Sequence, residues 1–181
     1  MRSFDHIPLT VGNTCIDTIS KVKDLGVIVD KHLTMIPNVN QIVRSAFLKI
    51  REISFYRKFL SSDVAKTLIH AYVTSRVDYC NSLLYGLPNN VLCKLQSVIN
   101  TAARLVTFTK KFDHITPVLK ELHWLPIQQR IKFKMLLLVF KSLNDLAPDY
   151  MRNKLTLKQD NGLRSSNQNL LVVPRSRLKT Y

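Results

Sequence analysis

The sequence predicts a mainly α-helical fold, an irregular bundle of five or six helices with a small N-terminal β-hairpin and a weakly ordered basic C-terminal tail. Apolar residues make up 46% of the 181 residues, so burial can offset the entropy that the chain loses on folding. Only four residues are glycine, which is few for a sheet-rich chain with many tight turns. From Pro37 onward, apolar residues recur every three or four positions, the period of an amphipathic helix.

Residues 1–36 are expected to form short strands. A turn at Gly12-Asn13 lies between two β-branched runs, which is a hairpin signal. A further run, residues 22–29, contains Gly26, and a glycine within a strand indicates a bulge or a close approach of another backbone. A small sheet therefore precedes the helical part of the chain.

Residues 37–157 are expected to form the helical domain. The first helix begins at Pro37 and carries a basic outer face opposite its apolar stripe. Residues 61–63 offer an N-cap for a second helix, which is expected to continue through Leu84. Pro88 then starts a third helix.

Proline positions predict the later helices. The pair Thr116-Pro117 is expected to begin a short fourth helix, and Pro126 a fifth that runs to about Leu143. Residues 135–140 are apolar on all sides, so this part of the fifth helix is expected to be the most buried element. Pro148 starts a brief last helix after a break.

Residues 158–181 are expected to form a basic tail that is weakly ordered without partners. Residues 150–181 contain seven basic side chains and one acidic side chain. Polar and turn-forming residues dominate after Leu157, and only residues 170–173 have the composition of a strand.

The charge of the chain indicates a polyanionic partner. Lys and Arg number 27 against 12 Asp and Glu, which gives a formal net charge of +15. Each phosphate that a basic side chain neutralises releases condensed counterions and adds affinity that does not depend on base sequence. Nucleic acid is therefore the leading partner, and a basic solvated surface with no specific partner is the alternative.

Other chemistries lack their sequence signals. Cys15, Cys80 and Cys93 have neither disulfide-like nor metal-site spacing, which fits a reducing compartment. The first residues lack the apolar run of a signal peptide, and residues 135–140, the longest aliphatic run, are too few to span a bilayer. We therefore expect a cytoplasmic or nuclear protein with no membrane partner, no cofactor and no metal site.

Three segments, taken together, resemble a known family. They are Arg76 to Leu84, Asn100 to Arg104, and His123 to Pro126. In this order they are similar to the region after the catalytic core in reverse transcriptases of LINE-type non-LTR retrotransposons, in the jockey and chicken-repeat groups. The resemblance extends over nearly the whole chain from about Val22, and it implies the end of the palm, the thumb and the region that follows.

The resemblance implies a fragment without the active site. Polymerases of this family need a pair of Asp residues to hold two metal ions, and no two adjacent Asp residues occur in the chain. The family's endonuclease, fingers and most of its palm would precede Met1, and the family pattern extends beyond Tyr181. The chain by itself is therefore expected not to be an enzyme, and the missing palm of a parent polymerase is a further expected partner.

The resemblance also implies where nucleic acid would bind. Val22 to Val27 is similar to the primer grip, in which the backbone at Leu25 and Gly26 would touch the primer terminus. The helices that follow are similar to the thumb, which holds a DNA or RNA–DNA duplex by its backbone. The expected phosphate contacts are Arg44, Lys49, Arg51, Arg57, Lys58, Lys110, Lys111, Arg130, Lys132 and Lys134.

Other motif residues are expected to be structural: Arg76, Asp78, Asn81, Arg104 and Trp124. Asp78 is expected to pair with Arg76 or Arg104, and phosphate contacts are the alternative role of these two arginines. Trp124 is expected to be a wedge between helices, with base stacking as the alternative. The tyrosines at positions 56, 72, 79 and 85 are expected to pack in the core or at its edge.

Two functions from different classes follow. The first is that of a non-catalytic fragment of a retrotransposon RNA-directed DNA polymerase, which binds template–primer nucleic acid by its phosphate backbone. The second is that of a decayed or host-adopted helical protein-interaction module with no nucleic-acid role. Salt-dependent binding to a duplex separates them, because only the first requires the release of counterions.

Overall fold

The computed structural model describes residues 9–12, 14–16, 19–158 and 170–173. The chain divides into two compact units, Met1–Ile131 and Lys132–Tyr181. The predicted weakly ordered tail lies outside the described residues, except for Lys158 and residues 170–173.

The described residues are mainly helical, as the sequence predicts. The α-helices are α1 (Ile36–Tyr56), α2 (Ser62–Ile69), α3 (Ser75–Asp78), α4 (Asn89–Thr107), α5 (Ile115–Glu121), α6 (Ile127–Leu143) and α7 (Asp149–Arg152). A π-helical turn, His70–Thr74, joins α2 to α3, and 3-10 turns lie at Arg57–Phe59 and Asn81–Leu84. The predicted irregular helical bundle with a small N-terminal hairpin is confirmed. None of the described helices is both long and apolar enough to cross a bilayer.

Two short antiparallel hairpins precede the helices: β1 (Leu9–Val11) with β2 (Thr14–Ile16), and β3 (Lys21–Asp24) with β4 (Val27–Asp30). The sequence indicates one strand run over residues 22–29, with a bulge or a close backbone approach at Gly26, and both the single run and the bulge are wrong. Leu25 and Gly26 form a two-residue loop in which both have positive φ, 44° and 86°. Such a loop matches the twist of the paired strands, and glycine adopts its second position without strain. Gly26 therefore marks a turn.

The second predicted helix ends earlier than expected. Residues 62–78 are continuously helical, and the Ser61 hydroxyl accepts a backbone N–H of the first turn at 3.3 Å, as its predicted capping role requires. The expectation that this helix continues through Leu84 is wrong, because Cys80 has a left-handed backbone with φ of 51°. The chain turns there, and Asn81 enters the core as the next residue.

The later helices mostly begin where proline predicts. α5 begins at Ile115 with His114 at its N-cap position, so Thr116 lies inside the first turn and is not the cap. α7 begins at Asp149 directly after Pro148, as predicted. The strand expected at residues 170–173 is a single bridge between Leu157 and Leu171.

α4 is the central helix of the first unit. Its apolar stripe of Leu95, Val98, Ile99 and Ala102 is completely buried. α1, α2 and α5 all pack against it. α1 and α2 contribute the buried side chains Val39, Ala46, Ile50, Ala65 and Ile69.

The expectation that residues 135–140 are the most buried segment is wrong. Leu136 is 68% exposed and Phe140 is 57% exposed. Apolar composition by itself does not remove a segment from water, because burial needs neighbouring elements, and α1, α2 and α5 supply them for the stripe of α4. Burial therefore follows the helix with the clear stripe.

Buried polar groups attach the second hairpin to α1. Asp30 accepts hydrogen bonds from the Thr34 N–H at 3.1 Å, the Thr34 hydroxyl at 2.9 Å and the Met35 N–H at 2.9 Å. Burial by itself raises the pKa of the Asp30 carboxyl, but these hydrogen bonds stabilise its charged form and outweigh burial, so the pKa is lowered. The Ile28 N–H donates to the Asn38 side-chain oxygen at 3.1 Å. β4 is thus fixed to the start of α1.

Replacing Asp30 by Asn is expected to remove an acid-sensitive part of the stability. Because folding lowers the pKa of Asp30 from its ordinary value of 3.8, its stabilising effect is complete above that pH and is lost as the pH falls through the folded-state pKa. The urea midpoints of the wild type and of Asp30→Asn should therefore converge in acid. A gap that stays constant from neutral to acid pH would contradict this assignment.

Candidate nucleic-acid interface

Arg57, an expected phosphate contact, is a buried structural residue. Its side chain is 5% exposed. Nε donates to the Leu105 carbonyl at 2.8 Å, Nη2 to the Val106 carbonyl at 2.5 Å, and Nη1 to the Leu60 carbonyl at 2.8 Å. Its guanidinium also lies 4.0 Å from the ring centre of Phe108. The prediction that Arg57 lies on the outer face is wrong, because the side chain binds the carbonyls that end α4.

Arg130, another expected phosphate contact, is bound inside the first unit. Its Nη1 lies 2.7 Å from Asp78 Oδ2, and its Nε donates to the Leu125 carbonyl at 2.6 Å. Asn81 donates weakly to the other Asp78 oxygen, at 3.4 Å. Asp78 and Asn81 therefore make contacts within the first unit, and the expected pairing of Asp78 with Arg76 or Arg104 is wrong. The ion pair instead joins the end of α3 to the first turn of α6.

Arg104 holds the loop that follows α4. Its Nε donates to the Lys110 carbonyl at 3.3 Å and its Nη2 to the Asp113 carbonyl at 3.2 Å. The Asp113 carboxylate in turn accepts the Lys110 N–H at 3.1 Å. These contacts agree with the predicted structural role of Arg104.

Trp124 is buried between helices, which agrees with its predicted role as a wedge. Its ring meets that of His70 edge to face, with centroids 5.2 Å apart. Burial lowers the pKa of His70, the nearby Arg130 lowers it further, and Asp78 opposes them. The neutral imidazole is therefore the form that packs against Trp124. Because the indole is buried, neither of its faces is open for a base to stack on.

The other expected phosphate contacts of α1 lie on more than one side of the helix. Arg44 and Arg51 are exposed, are seven residues apart on the outer face, and form no ion pair within the described residues. Lys49 lies on another side and pairs with Glu52 at 2.7 Å. Lys58 lies 4.8 Å from the ring centre of Phe59.

Four more of the predicted basic residues are exposed. Lys110 and Lys111 lie in the loop after α4, and Lys132 and Lys134 lie on the part of α6 that belongs to the second unit. In the first unit, therefore, the predicted basic side chains are divided between exposed surfaces and buried structural contacts. They do not line one groove.

Two neighbouring depressions lie between α1 and the continuous helix formed by α2 and α3, and we call them together the α1–α3 groove. One end encloses about 320 Å³ and is lined by Gly26, Asn38, Gln41, Ser45, Arg76 and Tyr79. The other encloses about 500 Å³ and is lined by Lys49, Tyr56, Phe59, Leu68 and Tyr72. Ser45 and Lys49 are one turn apart on α1, so the two ends adjoin along this helix pair.

The expected primer-grip turn lies at the polar end of the α1–α3 groove. The Tyr79 hydroxyl donates to the Leu25 carbonyl at 2.7 Å, and its ring lies 3.7 Å from where a Cβ on Gly26 would be. Arg76 lines the same end, is exposed, and has no ion-pair partner among the described residues. The structure thus brings Leu25, Gly26 and Arg76 together.

The aromatic end contains residues to which the sequence assigned no functional role. Tyr56, Phe59 and Tyr72 are 65%, 76% and 48% exposed, so they are not core residues. Tyr56 follows Ile53 by three residues, which places it at the border of the apolar stripe of α1. That border position is a sequence signal for an aromatic side chain with one open face. The groove therefore offers flat apolar surfaces at one end and polar groups with a free guanidinium at the other.

Within the described residues, no three His, Cys, Asp or Glu side chains gather where they could hold a metal ion. No family model, curated protein or solved structure matches the chain. The relationship to reverse transcriptases therefore stays a prediction from the motifs.

Proposed function

We propose that this chain is a non-catalytic part of a retrotransposon RNA-directed DNA polymerase, and that it binds template–primer nucleic acid through phosphate groups. The family part of the proposal is supported by the ordered motifs around Asp78, Asn100 and Trp124. The binding part is supported by a net charge of +15 and by one structural observation, the free basic face of α1.

Arg44 and Arg51 make up that free face. Both are exposed, and neither forms an ion pair within the part of the chain that the structure describes. Seven helical residues span about 10 Å, so the two guanidinium groups are able to contact phosphates of one backbone. Residues 36–60 contain five basic side chains and one acidic side chain, Glu52, which Lys49 already neutralises. A phosphate backbone therefore meets no uncompensated negative charge along α1.

A salt titration with a short DNA duplex tests this proposal. The logarithm of affinity should fall linearly with the logarithm of salt concentration, with a slope of about 0.9 per phosphate contact. The double variant Arg44→Ala/Arg51→Ala should make the slope shallower by about 1.8 if each side chain contacts one phosphate.

The matched control is Lys66→Ala/Arg152→Ala. It removes the same charge, but from side chains that already pair with Asp63, Asp145 and Asp149. Its slope should stay close to that of the wild type. Equal changes of slope in the two double variants would mean that binding depends on net charge alone. The proposal that α1 is the contact surface would then be wrong.

Exposed apolar residues on the same face of α1 favour a second candidate, a protein-docking module. Phe47, Leu48 and Phe55 lie beside Arg44 and Arg51, and all three are exposed. Burying them against a partner protein would be favourable, and the partner could be the missing palm. If the chain shows no salt-dependent binding to a duplex, this candidate replaces the first.

A further inference from the structure

We propose that the α1–α3 groove binds an unpaired strand of nucleic acid, with bases stacked on its aromatic end and a phosphate held at Arg76. This inference rests on the proposed function and names a ligand class for a particular site. It concerns a surface distinct from Arg44 and Arg51, which lie on the outer face of α1.

The aromatic end supplies open ring faces. Tyr56 and Phe59 come from the end of α1 and the turn after it, and Tyr72 faces them from the opposite helix. All three are about half exposed or more, and they surround an open space of about 500 Å³. Proteins that bind single strands use such rings because every base has a flat face that stacks on them without regard to sequence. In a duplex the flat faces of the bases are covered by neighbouring bases, so they cannot stack on these rings.

The polar end supplies the groups that a sugar–phosphate backbone needs. Arg76 forms no ion pair within the described residues, and Asn38, Gln41, Ser45 and Ser75 line the space beside it. The carboxylate on the groove wall, Glu52, is paired with Lys49 at 2.7 Å, so it does not repel an anion as an isolated charge would. Charge complementarity therefore favours a polyanion.

The change of character along the groove discriminates between ligands. An apolar helix of a partner protein needs an apolar floor over its whole length, and the Asn38 to Arg76 end does not provide one. A single strand has both flat apolar bases and anionic phosphates, so it matches both ends.

Fluorescence anisotropy with three oligonucleotides that carry equal numbers of phosphates tests the proposal in the full chain: a thymidine single strand, an abasic strand and a duplex. The thymidine strand should bind more tightly than the abasic strand. Tyr72→Ala and Phe59→Ala should each weaken thymidine binding by about 5- to 150-fold and leave abasic binding unchanged. Tyr72→Phe keeps the ring and should bind like the wild type.

A second readout does not depend on affinity. Tyr72→Trp places an indole in the groove, and stacking of a base should quench its fluorescence relative to the buried Trp124, whereas the abasic strand should not. If thymidine and abasic strands bind equally and neither Ala variant has an effect, the groove proposal is overturned while phosphate binding stands. If no oligonucleotide binds even at low salt, the proposed function fails as well.

Discussion

Arg57→Ala, a change directly after α1, should lower the free energy of unfolding by more than the loss of any charged side chain of α1. The substitution removes the charged donor from the Leu60 carbonyl and from the Leu105 and Val106 carbonyls at the end of α4. We expect a loss of about 3 kcal/mol in the free energy of unfolding, because hydrogen bonds to a charged group are strong and the acceptors are partly shielded from water. Urea denaturation followed by helical circular dichroism measures it.

The matched control is Arg51→Ala, which removes the same side chain from the exposed face of α1 and should change stability by less than about 0.5 kcal/mol. Arg57→Lys should recover only part of the loss, because an ammonium lacks the planar fork that reaches two successive carbonyls. In salt titrations of duplex binding by the folded chain, the larger effect should come from Arg51→Ala. This variant should make the slope shallower, whereas Arg57→Ala should leave it unchanged. Equal destabilisation by Arg51→Ala and Arg57→Ala would contradict the assignment of Arg57 to the interior.

The position of Arg57 could have been found in the sequence. It follows Ile50 by seven residues and Ile53 by four, so it lies on the apolar stripe of α1 and not opposite it. A charged residue on a buried stripe indicates a partner, and the sequence gives no means of naming one that lies 48 residues away, at Leu105. Periodicity predicts the face of the helix on which a side chain lies. The contacts of that side chain depend on which distant segment packs against this face.

The hairpin turn had a weaker sequence signal. Two-residue loops with positive φ usually contain Asn-Gly or Asp-Gly, and here a leucine occupies the first position. Leu25 adopts this conformation while its carbonyl accepts the Tyr79 hydroxyl, a contact between residues 54 positions apart. Local sequence therefore predicts strands in residues 22–29 but not the turn between them. That turn is accompanied by the contact with Tyr79, which is distant in sequence.

The sequence predicts basic residues as phosphate contacts, but it does not predict the aromatic end of the α1–α3 groove. The sequence predicts that the tyrosines at 56 and 72 pack in the core or at its edge, and their exposures of 65% and 48% exclude the core. The sequence does not show how far the apolar stripe of α1 lies from that of the α2–α3 helix. Because α1 and the α2–α3 helix leave a groove rather than a closed seam, rings at the border of the core have one face open. A helix pair packed more closely would cover them.

Leu95→Ala should destabilise the chain by about 3 kcal/mol, and Leu136→Ala should have less than about 0.5 kcal/mol of effect. The two substitutions remove the same atoms. Leu95 is fully buried on α4, so its truncation leaves a cavity among close-packed neighbours, whereas Leu136 is 68% exposed on α6 and its truncation leaves none. Urea midpoints at one pH compare them directly.

This pair decides between two hydrophobic signals in one chain. Residues 135–140 have the denser apolar composition, and α4 has the clearer amphipathic stripe. Since folding gains free energy from surface removed from water, and not from the apolar content of a segment, the stripe should predict where truncation is costly. If Leu136→Ala proves as harmful as Leu95→Ala, composition was the better guide, and α6 is covered in solution by a surface that the described residues do not supply.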